Sequence, residues 1–412
     1  MRADLIIQHA RELIYFPDEK QPMPEPVSIN DAAVVIKDGL IQDLGESSRI
    51  LKEWTAGDYL DASGKMLLPG FVDAHTHPVF LHTREREFTM RLQGKSYVDI
   101  SLAGGGIRST LASTRSADTE TLFELASQRL RRMLELGTTT VEAKSGYGLT
   151  TESELKQLAV IECLQKELPM DISATFMGAH EYPAEYKDNH EAYLRILCDE
   201  MIPAVSEQGI AEFCDIFTEA HVYSIEESRR VLETARKYGL KLKMHADEIE
   251  PIGGAELAAE LGCISADHLG AASDAGIKAL QKAGVVACLL PATLFSLRAK
   301  SYARAREMIS EGVTVAIATD YNPGSCNCDS MPFTMTLACL QMGMTPAEAF
   351  AAATINAAKA LGLQDKLGSL ALGKQADLVI WDIPALDYIP YHFGSSQITR
   401  VLKKGKTVFS RD

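Results

Sequence analysis

Apolar and polar positions change rhythm twice along the chain. Up to about Lys65 the apolar residues form short, strand-like runs. Ala33-Val-Val-Ile and Leu40-Ile are separated by Lys37-Asp38-Gly39, and Asp-Gly between apolar runs is the signature of a tight hairpin. The last stretch returns to this style in Ala376-Asp-Leu-Val-Ile-Trp and in Val401-Leu-Lys-Lys-Gly405-Lys-Thr-Val-Phe. Between the two ends a different unit recurs: a helical pattern closes in glycine, a short apolar strand follows, and polar residues stand at its far end. Gly137 leads into Thr138–Lys144, Gly239 into Leu240–His245 and Gly262 into Cys263–His268. Gly284 leads into Val285–Leu290, and Gly312 into Val313–Asp320. Thr151-Glu-Ser-Glu154 and Ser224-Ile-Glu-Glu227 carry the capping-box spacing of helix starts.

The run Leu67-Leu-Pro-Gly-Phe-Val72, read as one short buried strand broken at Pro69-Gly70, adds a strand ahead of this series. Asp171–His180 and Glu212–Thr218 complete a set of eight. Strands alternating with helices build parallel units, and eight of them predict a (β/α)8 barrel. The expected organisation is a small β-sandwich domain from residues 1–65 and 366–412, with the barrel inserted as residues 66–365. A doubly wound open sheet competes, but no Gly-x-Gly-x-x-Gly turn follows the first strand. Gly104-Gly105-Gly106 reads as a mobile loop, since no phosphate-binding lysine pattern accompanies it.

Composition narrows the function. The 412 residues are 46% hydrophobic, enough for a large core, and the net charge of −15 argues against nucleic acid or an anionic membrane as partner. Charge interrupts the N-terminal segment too early for a signal peptide, and the eight cysteines are scattered, so a reducing cytoplasm is expected. Cys326-Asn-Cys328 lacks a second pair at metal-finger spacing and reads as loop packing.

The C-terminal ends of barrel strands converge on one mouth. That places His75, His77, Lys144, Tyr147, His180, His245, Glu248, His268 and Asp320 together, and five of the ten histidines are among them. His75 and His77, two apart on an extended segment, face the same side. With His245 and Asp320 they form a set of three histidines and one carboxylate that suits a single cation with room for water. Glu248 is a candidate to move a proton from that water to a leaving nitrogen, and His268 to stabilise an oxyanion. Asp320 is an alternative proton acceptor.

At these residues the chain resembles the amidohydrolase superfamily. Pro69-Gly-Phe-Val-Asp-Ala-His75-x-His77, His245-x-x-Glu248, His268 and Asp320 carry the likeness, which spans nearly the whole chain. It looks like the single-metal branch, as in cytosine deaminase. Binuclear members carry a carboxylated lysine on a middle strand; Lys144 is a conceivable analogue, although Glu142-Ala-Lys-Ser-Gly-Tyr-Gly suggests a surface or supporting charge instead. Finer segments resemble the branch that opens the ring of 4-imidazolone-5-propanoate to N-formimino-L-glutamate, in histidine degradation. These are His77-Pro-Val-Phe with Arg84, Gly104-Gly-Gly-Ile, Phe176-Met-Gly-Ala-His180 and Thr319-Asp-Tyr-Asn322-Pro-Gly324-Ser325. The resemblance implies that Arg84 binds the propionate and that Tyr147 and His180 contact ring or carboxylate. It also implies that Asn322, Gly324 and Ser325 line the product side, that the metal is Zn²⁺ or iron (divalent or trivalent), and that the protein is a homodimer. The residues alone left Arg84 with another reading, a surface ion pair with Glu85 or Glu87. Two other functions compete: a deaminase of an aminated heterocycle, and a catalytically silent metal-binding barrel.

Overall fold

The computed structural model describes residues 1–95 and 105–411, so Gly104 of the glycine triplet lies outside the described residues. Strands β1 (Arg2–Tyr15), β2 (Val27–Lys37), β3 (Leu40–Glu46), β4 (Thr55–Asp61) and β5 (Met66–Pro69) come from the N-terminal segment. The predicted hairpin joins β2 to β3: Lys37 pairs with Leu40, and Asp38 and Gly39 make the turn at φ 53° and 76°. Both values are positive, as a type I′ turn requires.

Eight parallel strands follow as β6 (Phe71–Asp73), β7 (Thr138–Lys144), β8 (Asp171–Ala179), β9 (Phe213–Thr218), β10 (Lys241–Ala246), β11 (Ser265–His268), β12 (Val286–Leu289) and β13 (Val315–Ile317). They hydrogen-bond in unbroken sequence order, which is the (β/α)8 barrel. The chain then returns to the first sheet as β14 (Leu378–Trp381), β15 (Ile398–Lys403) and β16 (Lys406–Ser410). That sheet runs β16-β15-β14-β5-β1-β2-β3, with β4 on β1, so both ends of the chain build it. Its core, including Ile7, Leu13, Val34, Leu67 and Leu378, is separate from the larger core between barrel and helices. Among the described residues no helix is long and apolar enough to cross a membrane.

Two local expectations are corrected. The apolar run from Leu67 to Val72 is divided between the two sheets: β5 pairs with β1 and β14, whereas β6 pairs with β7. Gly70 makes the crossing, and a Cβ there would lie 2.3 Å from Thr139 Oγ1, so no side chain fits. The Thr151–Glu154 capping box does not form. The helix Thr151–Glu167 is capped by Thr150, and Glu154 instead accepts from the backbone N–H groups of Gly146, Gly148 and Leu149 at 2.8–2.9 Å. It thereby pins the loop that carries Tyr147. The box at Ser224–Glu227 is present.

Candidate active site

Strand β6 ends at Asp73, but its extended path continues through His75-Thr76-His77. Thr76 bridges Tyr321 in parallel, His77 N donates to Tyr321 O (2.8 Å) and Asp320 N donates to His75 O (3.1 Å). These bonds join the first and eighth barrel segments and bring Asp320 beside the two histidines. One imidazole nitrogen from each of His75, His77 and His245 lies within 4.8 Å of the others. His75 Nε2 and His77 Nε2 are 3.3 Å apart, and Asp320 Oδ1 is 3.6 Å and 3.7 Å from them.

This donor set fits a cation. His75 Nδ1 is 2.6 Å from Asp267 Oδ2, so the ring proton belongs on that side and Nε2 presents its lone pair. Burial, then Lys144 beside His75 and His180 beside His77, holds both imidazoles well below their usual pKa and therefore neutral. Two neutral nitrogens facing each other at 3.3 Å, with a carboxylate oxygen behind, lack a positive partner that a metal ion supplies. His245 Nδ1 lies 3.0 Å from Asp215 Oδ2, a close contact without hydrogen-bond alignment, and Asp215 Oδ1 accepts from His245 N at 3.1 Å.

Above the cluster opens a cavity of about 460 Å³. His77, His245, His268, Glu248, Asp320, Tyr147, His180, Arg84, Asn322 and Ser325 all reach its wall. Glu248 is largely but not fully buried, its side chain 13% exposed, and desolvation, then the charge of Asp320, raises its carboxyl to about 8. His268 Nδ1 lies 3.5 Å from Glu248 Oε2. Asp320 is raised to about 6 by burial, against the hydrogen bond from Thr293 Oγ1 (2.6 Å) that lowers it. His180 stacks on His77 with centroids 5.1 Å apart; burial, then His245, lowers it to about 3. Burial pushes the Tyr147 phenol above its ordinary range. Arg84 also reaches the cavity wall and is largely buried, and its nearest carboxylate, Glu87, stands 3.8 Å from Nε. Glu85 is turned to Thr83. The ion pair with Glu87 is thus present but largely buried rather than on the surface, and Glu85 takes no part in it.

The chain's residues 66–408 match the amidohydrolase family. It is 48% identical to an imidazolonepropionase of Alkaliphilus metalliredigens (strain QYMF), covering 100% of this chain and 99% of the relative. It is 51% identical to one of Porphyromonas gingivalis (strain ATCC BAA-308 / W83), covering 92% and 90%. The chain belongs to the imidazolonepropionase family of amidohydrolases. Solved structures share the fold at lower identity. An E. coli guanine deaminase superposes with a TM-score of 0.75 at 18% identity over 99% of this chain and all of that one. A zinc-bound adenosine deaminase from Xanthomonas campestris gives 0.73 at 19%, covering 98% and 93%.

Two sequence expectations shift in this imidazolonepropionase-family site. Lys144 is neither on the surface nor on the cavity wall; it is fully buried beneath the histidines, because β7 directs it into the barrel among three carboxylates. Gly324 lines an adjoining hollow rather than the cavity. A Cβ on it would lie 1.2 Å from Arg84 Nη2, so its missing side chain is the space the guanidinium occupies. Asn322 reaches the wall, but its amide is spent on the turn: Nδ2 donates to Asp320 O and Ser325 Oγ (both 2.8 Å), and Oδ1 accepts from Gly324 N and Ser325 N (both 2.8 Å). Sequence reasoning missed Asp215, Asp267 and Thr293, which orient the candidate ligands. A lone acid inside an apolar strand, as in Phe213-Cys-Asp-Ile-Phe, was the available signal.

The Gly324 geometry gives a first prediction. Gly324→Ala is expected to displace the guanidinium and cost roughly tenfold or more in kcat/KM, the loss of a charge-assisted hydrogen bond. Steady-state kinetics check it; unchanged kinetics would show that Arg84 relocates without penalty.

Proposed function

We propose that the protein hydrolyses the ring amide C–N bond of 4-imidazolone-5-propanoate, adding one water to give N-formimino-L-glutamate, a step of histidine degradation. The observation that carries this reading is identity of about half to imidazolonepropionases over almost the full length. The cavity wall supplies the parts the reaction needs: candidate cation ligands, a proton carrier in Glu248 and the guanidinium of Arg84. The deaminase reading rests on fold likeness below 20% identity and has no use for an arginine on the cavity wall. A silent barrel does not require Glu248.

Amidohydrolase-family enzymes depend on metal, and here His75, His77, His245 and Asp320 would hold it. A bound cation supplies a water acidified toward neutrality. Glu248 takes the proton as the oxygen attacks the ring carbonyl carbon. His268 stabilises the oxyanion. When the intermediate collapses, the C–N bond breaks and Glu248 returns the proton to the departing nitrogen. Arg84 grips the propionate, with Tyr147, His180 and Ser325 shaping the wall around the ring. Three imidazoles and one aspartate suit zinc and iron alike, and elemental analysis of purified protein separates them. A cytoplasmic homodimer belongs to the same reading and is checked by light scattering in solution.

Turnover of freshly generated imidazolone propionate tests the function directly; ammonia release from cytosine or guanine instead would move the protein to the deaminases. The anchor has its own test. Arg84→Ala is expected to lower kcat/KM about 10- to 150-fold, from roughly 1.5–3 kcal/mol for a bidentate charged contact. Lysine should restore part of it, keeping charge without the fork. Against an analogue lacking the carboxylate, wild type should discriminate strongly and Arg84→Ala hardly at all. Discrimination retained in the variant would assign the carboxylate to another cation.

A further inference from the structure

Beneath the histidine cluster lies a layer of five charged side chains with no exposed surface: Glu142, Lys144, Asp215, Lys243 and Asp267. Lys144 Nζ donates to Asp215 Oδ2 (2.6 Å) and Glu142 Oε1 (2.9 Å) and stands 3.7 Å from Asp267 Oδ2. Lys243 Nζ donates to Ala74 O (2.9 Å) and Glu142 Oε2 (3.0 Å) and stands 3.6 Å from Asp267. Burial opposes the charge of Lys144, but Asp215, Glu142 and Asp267 outweigh it and keep its ammonium protonated. Such a network is a poor device for stability, because apolar residues of similar volume commonly do as well. Its arrangement points elsewhere. Asp215 presents one carboxylate to Lys144 and to His245 Nδ1 (3.0 Å) together, and Asp267 presents its Oδ2 to Lys144 and to His75 Nδ1 (2.6 Å). One ammonium thus stands behind both carboxylates that orient candidate metal ligands.

We infer that Lys144 is a positioning residue for the metal centre, acting through Asp215 and, more distantly, Asp267. Asp215 Oδ2 is held between Lys144 Nζ and His245 Nδ1, and without the ammonium nothing else in the layer fixes where that oxygen points. The carboxylate would then turn away from the imidazole, and the ring would lose the contact that aims its other nitrogen at the cation. Outer partners of this kind typically govern metal affinity by 10- to 100-fold. The inference rests on His75, His77, His245 and Asp320 being the ligands. That reading is tested separately by whether the wild-type protein binds one ion at all.

Zn²⁺ affinity by chelator competition and the visible spectrum of the Co²⁺-loaded protein provide the test, in Lys144→Met, Asp215→Asn and the double variant. Lys144→Met is expected to weaken Zn²⁺ binding about 10- to 100-fold and to alter the Co²⁺ ligand-field bands. Asp215→Asn should do the same, and the double variant should be no weaker than Asp215→Asn, because the lysine acts through the aspartate. The double variant removes one charge of each sign, leaving Lys243 to compensate Glu142. If Lys144→Met alone fails to fold, the comparison of Asp215→Asn with the double variant still decides. A lysine variant with wild-type affinity and spectrum, lowered only in melting temperature, overturns the inference. So does a double variant in which Lys144→Met weakens binding by its full factor again.

Discussion

Replacing His245 by alanine is expected to strip the metal and take turnover below detection. The other three candidate ligands, His75, His77 and Asp320, remain, with Asp320 Oδ1 at 3.6–3.7 Å from the two Nε2 atoms. A cation left with two imidazoles and a carboxylate loses one of its strongest bonds and opens its coordination on the His245 side. Without it, water returns toward its ordinary acidity and nothing in the cavity generates the nucleophile at neutral pH. The fold should survive. Asp215 keeps the ammonium of Lys144 at 2.6 Å and the backbone N–H of residue 245 at 3.1 Å, so no carboxylate is orphaned. Elemental analysis and circular dichroism on the same sample check both halves. Full metal occupancy in the variant would remove His245 from the ligand set.

The barrel was legible because each βα unit announces itself locally. A glycine such as Gly284 closes the helix Asp274–Ala283 at φ 70°, and β12 follows two residues later. The hairpin at Asp38-Gly39 was readable for the same reason. What was not readable depends on partners far away in sequence. Asp267 and His75 are 192 residues apart, and their hydrogen bond exists only because the closed barrel places β11 near the end of β6. Lys144 read as a conceivable carboxylated ligand or as a surface or supporting charge, since no nearby residue reveals that three acids meet it inside. Glu154 shows the limit from the other side: its spacing from Thr151 is a correct local cap pattern, yet three backbone donors at Gly146, Gly148 and Leu149 outcompete that role. Arg84 needed the family likeness, because sequence alone places Glu85 and Glu87 beside it and does not reveal the space opposite Gly324.

Glu248→Gln is expected to retain the metal and lose about 10²–10⁴-fold in kcat, the usual contribution of a positioned acid/base. The amide is nearly isosteric, and the turn that carries it is fixed by its neighbours. Asp247 caps the following helix through Gly254 N and Ala255 N (both 2.9 Å), and Glu219 Oε2 accepts from Ile249 N (2.9 Å). What changes is the ability to hold a proton between two steps. The pH profile separates this loss from a packing defect. A base must be ionised, so activity is present above its pKa and lost as pH falls through it. Burial and Asp320 raise Glu248 to about 8, and a cation bound beside it favours the carboxylate and draws that value down. The acid limb of kcat/KM in the loaded wild type is therefore expected at or below about pH 8. Glutamine cannot titrate, so that limb should vanish from the variant's residual activity. Near-normal kcat with the limb intact would hand the proton to Asp320. That carboxylate is raised only to about 6 and accepts from Thr293 Oγ1 at 2.6 Å, and a cation bound directly to it would draw that value down further, so an acid limb below about pH 6 would identify it.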